Sequence, residues 1–114
     1  MNDLESALLD ELTNGEEPKL LIRTHTRIDV GRWWRSNPIW LCLIGEELIV
    51  MAIARRRYAE RVAIADCQAS FYSHATGELV IKPAETLRFT SFSMTPREAL
   101  SVLDLLKIHH KKDE

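Results

Sequence analysis

The sequence is short of the residues on which several large classes of protein depend. Its 114 residues contain two cysteines, Cys42 and Cys67, so no disulfide framework is implied. We expect both to be reduced, buried thiols in a cytoplasmic protein. The four glycines are scattered singly, which excludes a glycine-rich loop that cradles a phosphate.

A long apolar run and an excess of one charge are also missing. No uncharged run approaches the roughly 18 residues of a membrane-spanning helix. The first residues carry Asp3, Glu5, Asp10 and Glu11 where a signal peptide needs positive charge. The formal net charge of -2 gives no overall basic field, which argues against nonspecific binding of nucleic acid. We therefore expect a soluble, cytoplasmic protein with no nucleic-acid partner.

The residues that carry chemistry are not arranged as a catalytic or metal site. His109 and His110 are neighbours, and neighbouring residues of a helix point about 100 degrees apart, so they cannot easily converge on one ion. A nucleophile at Cys67 or Ser73 beside His74 would lie along one strand with mixed facing, without a nucleophile elbow. We expect no catalytic residue, no metal and no cofactor.

The most structured stretch is residues 39–54, IWLCLIGEELIVMAIA. Two apolar runs rich in strand-forming residues flank Gly45, Glu46 and Glu47, a pattern typical of an antiparallel hairpin. Both arms are apolar at odd and at even positions, whereas a strand with one wet face would alternate. The sequence therefore predicts a hairpin at the centre of a sheet, covered on both faces.

The other segments predict further strands and a helix near each end. Leucines at helical spacing predict a short helix over 3–12. Thr95, Pro96 and Glu98 fit the N-cap, N1 and N3 positions of a second helix with a capping box. Alternating or β-rich runs predict strands over 19–30, 60–67, 69–74, 78–82 and 86–93, with a turn-rich loop over 31–38. Together with the hairpin these make about seven strands in meander order.

This order of elements resembles the bacterial pleckstrin-homology-like (PH-like) and GRAM domains. The resemblance is carried by IWLCLIGEELIVMAIA as the second and third strands, RVAIADCQASFY as the fourth and fifth, TGELVIKP as the sixth, and LRFTSFSMTPREALSVLDLL as the last strand and helix. It implies a mainly β (α+β) fold: a two-layer bent antiparallel sheet or barrel of about seven strands, capped by a C-terminal helix. The PH-like domain would span residues 18–112, with residues 1–17 as an added helix and linker. Such domains usually bind lipids or proteins or assemble with copies of themselves, and the resemblance implies no catalysis.

A basic and aromatic pair of segments is the first candidate site. Tryptophan rings partition to the membrane interface, and guanidinium groups attract anionic headgroups. If the resemblance holds, the two segments emerge at the same open end of the sheets. The predicted ligand or lipid-binding residues are Arg32, Trp33, Trp34, Arg35, Arg55, Arg56 and Arg57. In the alternative, the tryptophans pack on the sheet edge and the arginines are solvated or paired with glutamates.

The outer face of the central hairpin is the second candidate site. Depending on register, this face carries either the even-numbered or the odd-numbered apolar residues of 39–44, and an uncovered patch of this kind marks an interface. We take Trp40, Leu41 and Leu43 as the predicted interface residues. In the alternative, the N-terminal helix folds over the same face through Leu4, Leu8 and Leu12.

These observations predict a non-enzymatic binding or assembly module that acts through protein contacts, most simply as a homo-oligomer. The alternative is a peripheral domain that binds an anionic membrane surface through the basic and aromatic segments. A carrier of small molecules would need a cavity between the sheets. The sequence has too many large residues for such a cavity.

Overall fold

The computed structural model of the chain describes residues 1–29, 36–53, 57–83 and 85–112. These residues form two α-helices, seven strands and one 3-10 helix. The elements are α1 (Asp3–Thr13), β1 (Leu20–Asp29), β2 (Ser36–Ile44), β3 (Glu47–Ile53), β4 (Arg57–Ala63), a 3-10 helix (Ile64–Cys67), β5 (Phe71–Ser73), β6 (Glu78–Val80), β7 (Ser91–Ser93) and α2 (Pro96–Lys112).

The strands form two antiparallel sheets in chain order. The four-stranded sheet has the order β1-β2-β3-β4 and the three-stranded sheet the order β5-β6-β7. The expected mainly β architecture with a C-terminal helix is confirmed, and over the described residues the two sheets do not close into a barrel. They approach each other at β1 and β7, where the Ser93 backbone N–H donates to Thr26 Oγ1 at 2.8 Å.

The central hairpin is formed as expected. β2 and β3 pair with Trp40 opposite Met51 and Ile44 opposite Glu47. The turn between them begins at Gly45, whose φ of 56° lies in the left-handed region that glycine reaches at least cost. A tight turn therefore fixes the register, and with it the face on which each side chain lies.

The hairpin is buried on both of its faces. The inward side chains, among them Leu41, Leu43 and Leu48, join the main core with the second sheet and α2. Phe92 of β7, which is fully buried, lies in the same core. The opposite side chains form a second cluster, which consists of Trp40, Cys42, Ile49 and Met51 together with Leu8 of α1.

The two helices begin where the sequence predicts. In α1, the Asn2 side chain accepts from the Glu5 backbone N–H at 2.8 Å, and the helix continues to Thr13. In α2, Thr95 Oγ1 accepts from the Glu98 N–H at 3.2 Å, and Glu98 Oε1 accepts from the Thr95 N–H at 3.1 Å, which completes the predicted capping box.

The predicted strand over 60–67 was wrong in its second half. β4 ends at Ala63, and a 3-10 helix follows over Ile64–Cys67. In a 3-10 helix the side chains at i and i+3 lie on the same side, so Ile64 and Cys67 are both buried. The interval of three residues between Ile64 and Cys67 indicates a 3-10 helix, whereas a strand would place its buried residues two positions apart.

The predicted boundaries of two other strands were also wrong. In place of a strand over 86–93, only Ser91–Ser93 is assigned to β7. In the preceding segment, the Thr90 carbonyl still accepts from the Ile81 N–H at 2.8 Å, whereas the Arg88 N–H donates to Glu60 Oε1 at 2.7 Å. β2 begins at Ser36, inside the predicted loop 31–38, because the Asn37 side chain donates to the Ile53 carbonyl and Pro38 pairs with β1.

None of the helices in the described part of the chain combines the length and the apolar character needed to cross a membrane.

Candidate functional site

Helix α1 covers the outer face of the central hairpin. Trp40 Nε1 donates to Glu5 Oε2 at 2.6 Å, across 35 residues of chain. Leu8 is buried against the same cluster, and Leu12 is half-buried at its border. The predicted alternative, in which the N-terminal helix folds over this face, is therefore what the structure has. Leu4 takes no part, because its side chain is 65% exposed.

Glu5 is a buried carboxylate whose two oxygens are both used. Oε1 accepts from the Asn2 backbone N–H at 3.0 Å within the capping box, and Oε2 accepts from the Trp40 indole. The residue is only 4% exposed, and it lies in the first turn of α1, where the helix dipole favours negative charge. A buried charge is tolerated when it is hydrogen-bonded in this way.

Two arginines of β4 hold the other end of α1. Arg57 Nη1 lies 2.5 Å from Glu11 Oε2 in an ion pair that is exposed on both sides. Arg61 donates to the Leu12 carbonyl and, at 3.3 Å, to Glu47 Oε1. Exposed pairs of this kind each contribute little to stability, so these contacts direct the helix more than they stabilise it.

The three predicted interface residues lie on opposite faces of the hairpin. Trp40 lies under α1, whereas Leu41 and Leu43 point into the main core. Each of the three is less than a tenth exposed. Within this chain they do not form one exposed surface, because successive side chains of a strand alternate between faces. Self-association through another surface does not require these three side chains, so it stays a prediction.

The basic and aromatic residues fall mostly outside the described residues. Only Arg57 is described, and the other six predicted members of this site are Arg32, Trp33, Trp34, Arg35, Arg55 and Arg56. The strand ends on either side of these two segments belong to the described residues. Asp29 pairs with Ser36, and Ile53 pairs with Arg57, at the same end of the four-stranded sheet.

A groove between β5 and α2 is a candidate site that the sequence analysis missed. It has a volume of about 410 Å³ and is lined mainly by apolar side chains. The lining residues are Ser70, Phe71, Tyr72, His74, Pro96, Leu100 and Leu103. Phe71 is 45% exposed and Leu100 57% exposed, a high fraction for large apolar side chains. Lys82 Nζ lies 5.6 Å from the centre of the Phe71 ring, so a positive charge stands at one rim.

By sequence, Leu100 belongs to an apolar stripe with Val102, Leu103, Leu105 and Leu106, and this pattern gives no sign that Leu100 lines a groove. Over residues 96–106 of α2, where burial is described, the fully buried residues are Ala99, Val102 and Leu106. Leu100 is one position beyond Ala99 and points about 100 degrees away from it. The buried positions Ala99, Val102 and Leu106 are three and four residues apart. This spacing distinguishes the buried face of the helix from the face that carries Leu100.

Among the described residues, pKa values are altered at two buried thiols, Cys42 and Cys67, and at the partly buried Tyr58. Burial raises the pKa of the Cys67 thiol to about 11, with the Asp66 charge adding to the effect. Burial also raises the pKa of Cys42, and it raises the pKa of Tyr58, whose hydroxyl donates to Glu60. A raised pKa keeps both thiols protonated near neutral pH, where a nucleophilic cysteine would need a thiolate.

The side chains in the described ranges hold no group of three or more His, Cys, Asp or Glu residues that is placed to bind a metal ion. Comparison of the chain with family models, with curated proteins and with solved structures gave no match in any of the three.

The Glu5 contacts predict a measurable loss of stability on mutation. Glu5→Ala removes one half of the capping box and leaves the buried Trp40 N–H without an acceptor, so we expect a loss of about 1–3 kcal/mol in the free energy of unfolding. Urea unfolding of the full chain measures it. Asp10→Ala, an exposed acidic residue of the same helix, is the control. Equal effects of the two substitutions would contradict the assigned role of Glu5.

Proposed function

We propose that the protein is a non-enzymatic binding module that acts through protein contacts, and that the groove between β5 and α2 receives an apolar segment of its partner. The observation that carries this proposal is the exposure of Phe71 and Leu100 on the two sides of one groove. Exposed large apolar side chains that share a concave surface are characteristic of interaction sites.

The edge position of β5 supports an extended partner segment. β5 pairs with β6 on one side, and no strand of the described chain pairs with its other side. A free strand edge offers backbone N–H and C=O groups to an added strand, and alternate side chains of that strand supply specificity. Every second side chain of such a segment would point toward the groove, where Leu103 and Tyr72 form part of the lining.

The size of the groove limits how much of a partner it can hold. At about 410 Å³ it lies at the lower end of the range of small-molecule pockets, so it holds one or two anchoring side chains. A contact of this small size is typical of a transient interface.

The arrangement of the sheets also supports the proposal. A four-stranded and a three-stranded antiparallel sheet followed by a C-terminal helix have the element order of PH-like domains. We therefore propose that the chain has a PH-like fold. Domains of that kind usually work by binding, which agrees with the exposed groove.

The groove predicts a selective loss of binding from one face of α2. A display library of random 12-residue peptides is selected on the immobilised full chain, and the enriched peptides are titrated against purified variants. We expect peptides with apolar residues at alternate positions, and Leu100→Lys should weaken them by roughly tenfold or more, since one buried apolar anchor contributes about 1.5–3 kcal/mol.

Leu4→Lys is the matched control, because Leu4 is an exposed leucine on the other helix, 65% exposed against 57% for Leu100. Both variants should retain the unfolding midpoint of the native chain, since each replaces an exposed side chain. Enriched peptides that bind Leu100→Lys and Leu4→Lys equally well, or a library that yields no enriched peptide, would count against the groove.

We also propose, as a second function, attachment to an anionic membrane surface. The supporting observation is that β1, β2, β3 and β4 end or begin together where segments 30–35 and 54–56 connect them, as the pairs Asp29 with Ser36 and Ile53 with Arg57 indicate. Four arginines and two tryptophans belong to these two segments by sequence. Basic residues beside aromatic rings suit anionic headgroups.

Cosedimentation with lipid vesicles tests this second function. We expect binding to phosphatidylserine-containing vesicles at low salt and little binding to neutral ones. Arg55→Glu should weaken binding by about tenfold or more, because each basic residue near the surface contributes about 1 kcal/mol and the change reverses the charge. Lys19→Glu is the control, since Lys19 lies at the opposite end of the sheet, beside the turn at Gly45. No sedimentation with the anionic vesicles at low salt would rule this function out.

A further inference from the structure

The outer face of the central hairpin is complementary to α1 in charge as well as in shape. The helix carries Asp3, Glu5, Asp10 and Glu11 and no basic residue. Strand β4 presents Arg57 and Arg61 beside it, and both arginines contact the helix. The apolar surface under the helix is the cluster around Trp40. The face is therefore a binding surface for an acidic amphipathic helix.

The cover that α1 provides is small. Leu8 is its one fully buried apolar residue among the described side chains, and Leu9 and Leu12 are partly buried. An isolated helix of 11 residues is marginally stable in water, so α1 depends on the sheet for its structure. The apolar face of the hairpin in turn depends on having a helix over it.

The connection between α1 and β1 reverses the chain sharply. Asn14 has a φ of 54° and is the one non-glycine residue in the left-handed region among the described residues; Gly15 follows with a φ of 79°. The N–H groups of Gly15 and Glu16 bond back to Asp10 and Thr13. Residues 14–17 are exposed, so nothing in the core holds this reversal closed.

We propose that the partner of this face is a second copy of the chain: two copies exchange their α1 helices, and each helix docks on the outer face of the other copy. The exchanged helix keeps the Glu5–Trp40 hydrogen bond and both arginine contacts. Opening the hinge at Asn14 and Gly15 relieves the left-handed backbone conformation of Asn14. Short hinges that are strained in the closed form favour exchange between chains. Because docking within one chain has the advantage of proximity, the exchanged dimer gains population as the protein concentration rises.

The proposal goes beyond the proposed function and uses a different surface. The groove between β5 and α2 lies on the other sheet, and Leu100 makes no contact in the cluster around Trp40. A failure of helix exchange therefore leaves groove binding in place, and the reverse also holds.

Crosslinking between two full-length variants tests the exchange. Glu11→Cys and Arg57→Cys chains are mixed, incubated over a range of concentrations, and treated with a short bismaleimide that bridges neighbouring thiols. The native cysteines are both buried and remain protonated, so they react slowly. Exchange predicts a mixed crosslinked dimer that increases with concentration and with incubation time. Thr76→Cys, at an exposed turn of the other sheet, replaces Arg57→Cys in the control mixture.

The outcomes separate clearly. The yield of mixed dimer from Glu11→Cys with Arg57→Cys should exceed the yield from the control mixture by tenfold or more. The double variant Glu11→Cys/Arg57→Cys should crosslink within one chain, which establishes that the crosslinker spans the distance between the two positions. A mixed product no greater than the control, with the double variant closing normally, would overturn the proposal.

Two further measurements guard against a variant that fails to fold. Sedimentation of the unmodified chain over a dilution series should show a dimer fraction that rises with concentration, and a monomer up to about 1 mM would overturn the proposal. Insertion of Gly-Ser-Gly-Ser after Gly15 relaxes the hinge and should lower the dimer fraction severalfold. An unchanged dimer fraction would contradict the role of the hinge.

Discussion

The constraint that organises this structure is the burial of both faces of the β2–β3 hairpin. Side chains alternate along a strand, so an arm that is apolar at every position must have a partner layer on each side. The second sheet and α2 supply one layer around Leu41, Leu43 and Leu48. The other layer is α1, which brings Leu8 onto Trp40, Cys42, Ile49 and Met51. The N-terminal helix is therefore a structural part of the domain.

A second consequence is the division of the molecular surface. The central apolar face is sealed, and two large apolar side chains outside it, Phe71 and Leu100, are exposed. The groove beside Phe71 and Leu100 borders the edge strand β5. Arg57, the described member of the predicted basic site, lies at the start of β4 and forms an ion pair with Glu11. The same helix thus seals one surface and contacts the border of another.

The sequence predicts what local signals determine. The hairpin follows from two β-rich runs around Gly45, and the start of α2 follows from Thr95, Pro96 and Glu98. The face under α1 could not be predicted, because both parities of the hairpin are apolar and only the register assigns Trp40 to one side and Leu41 to the other. The groove was missed because Leu100 fits an apolar stripe as well as Ala99 does, and only packing separates them. The predicted strand over 86–93 also contains Arg88, whose N–H bonds to Glu60 Oε1, a long-range contact that no local pattern encodes.

Amide hydrogen exchange of the full chain tests the central claim most directly. If both faces of the hairpin are covered, the slowest amides should be those of the paired residues in β2 and β3, such as Leu41 with Val50 and Leu43 with Leu48, and they should open only with global unfolding. Amides of the edge strand β5 should exchange faster. Exchange in β2 and β3 as fast as in β5 would contradict the account, because it would mean that one face of the hairpin is open to water.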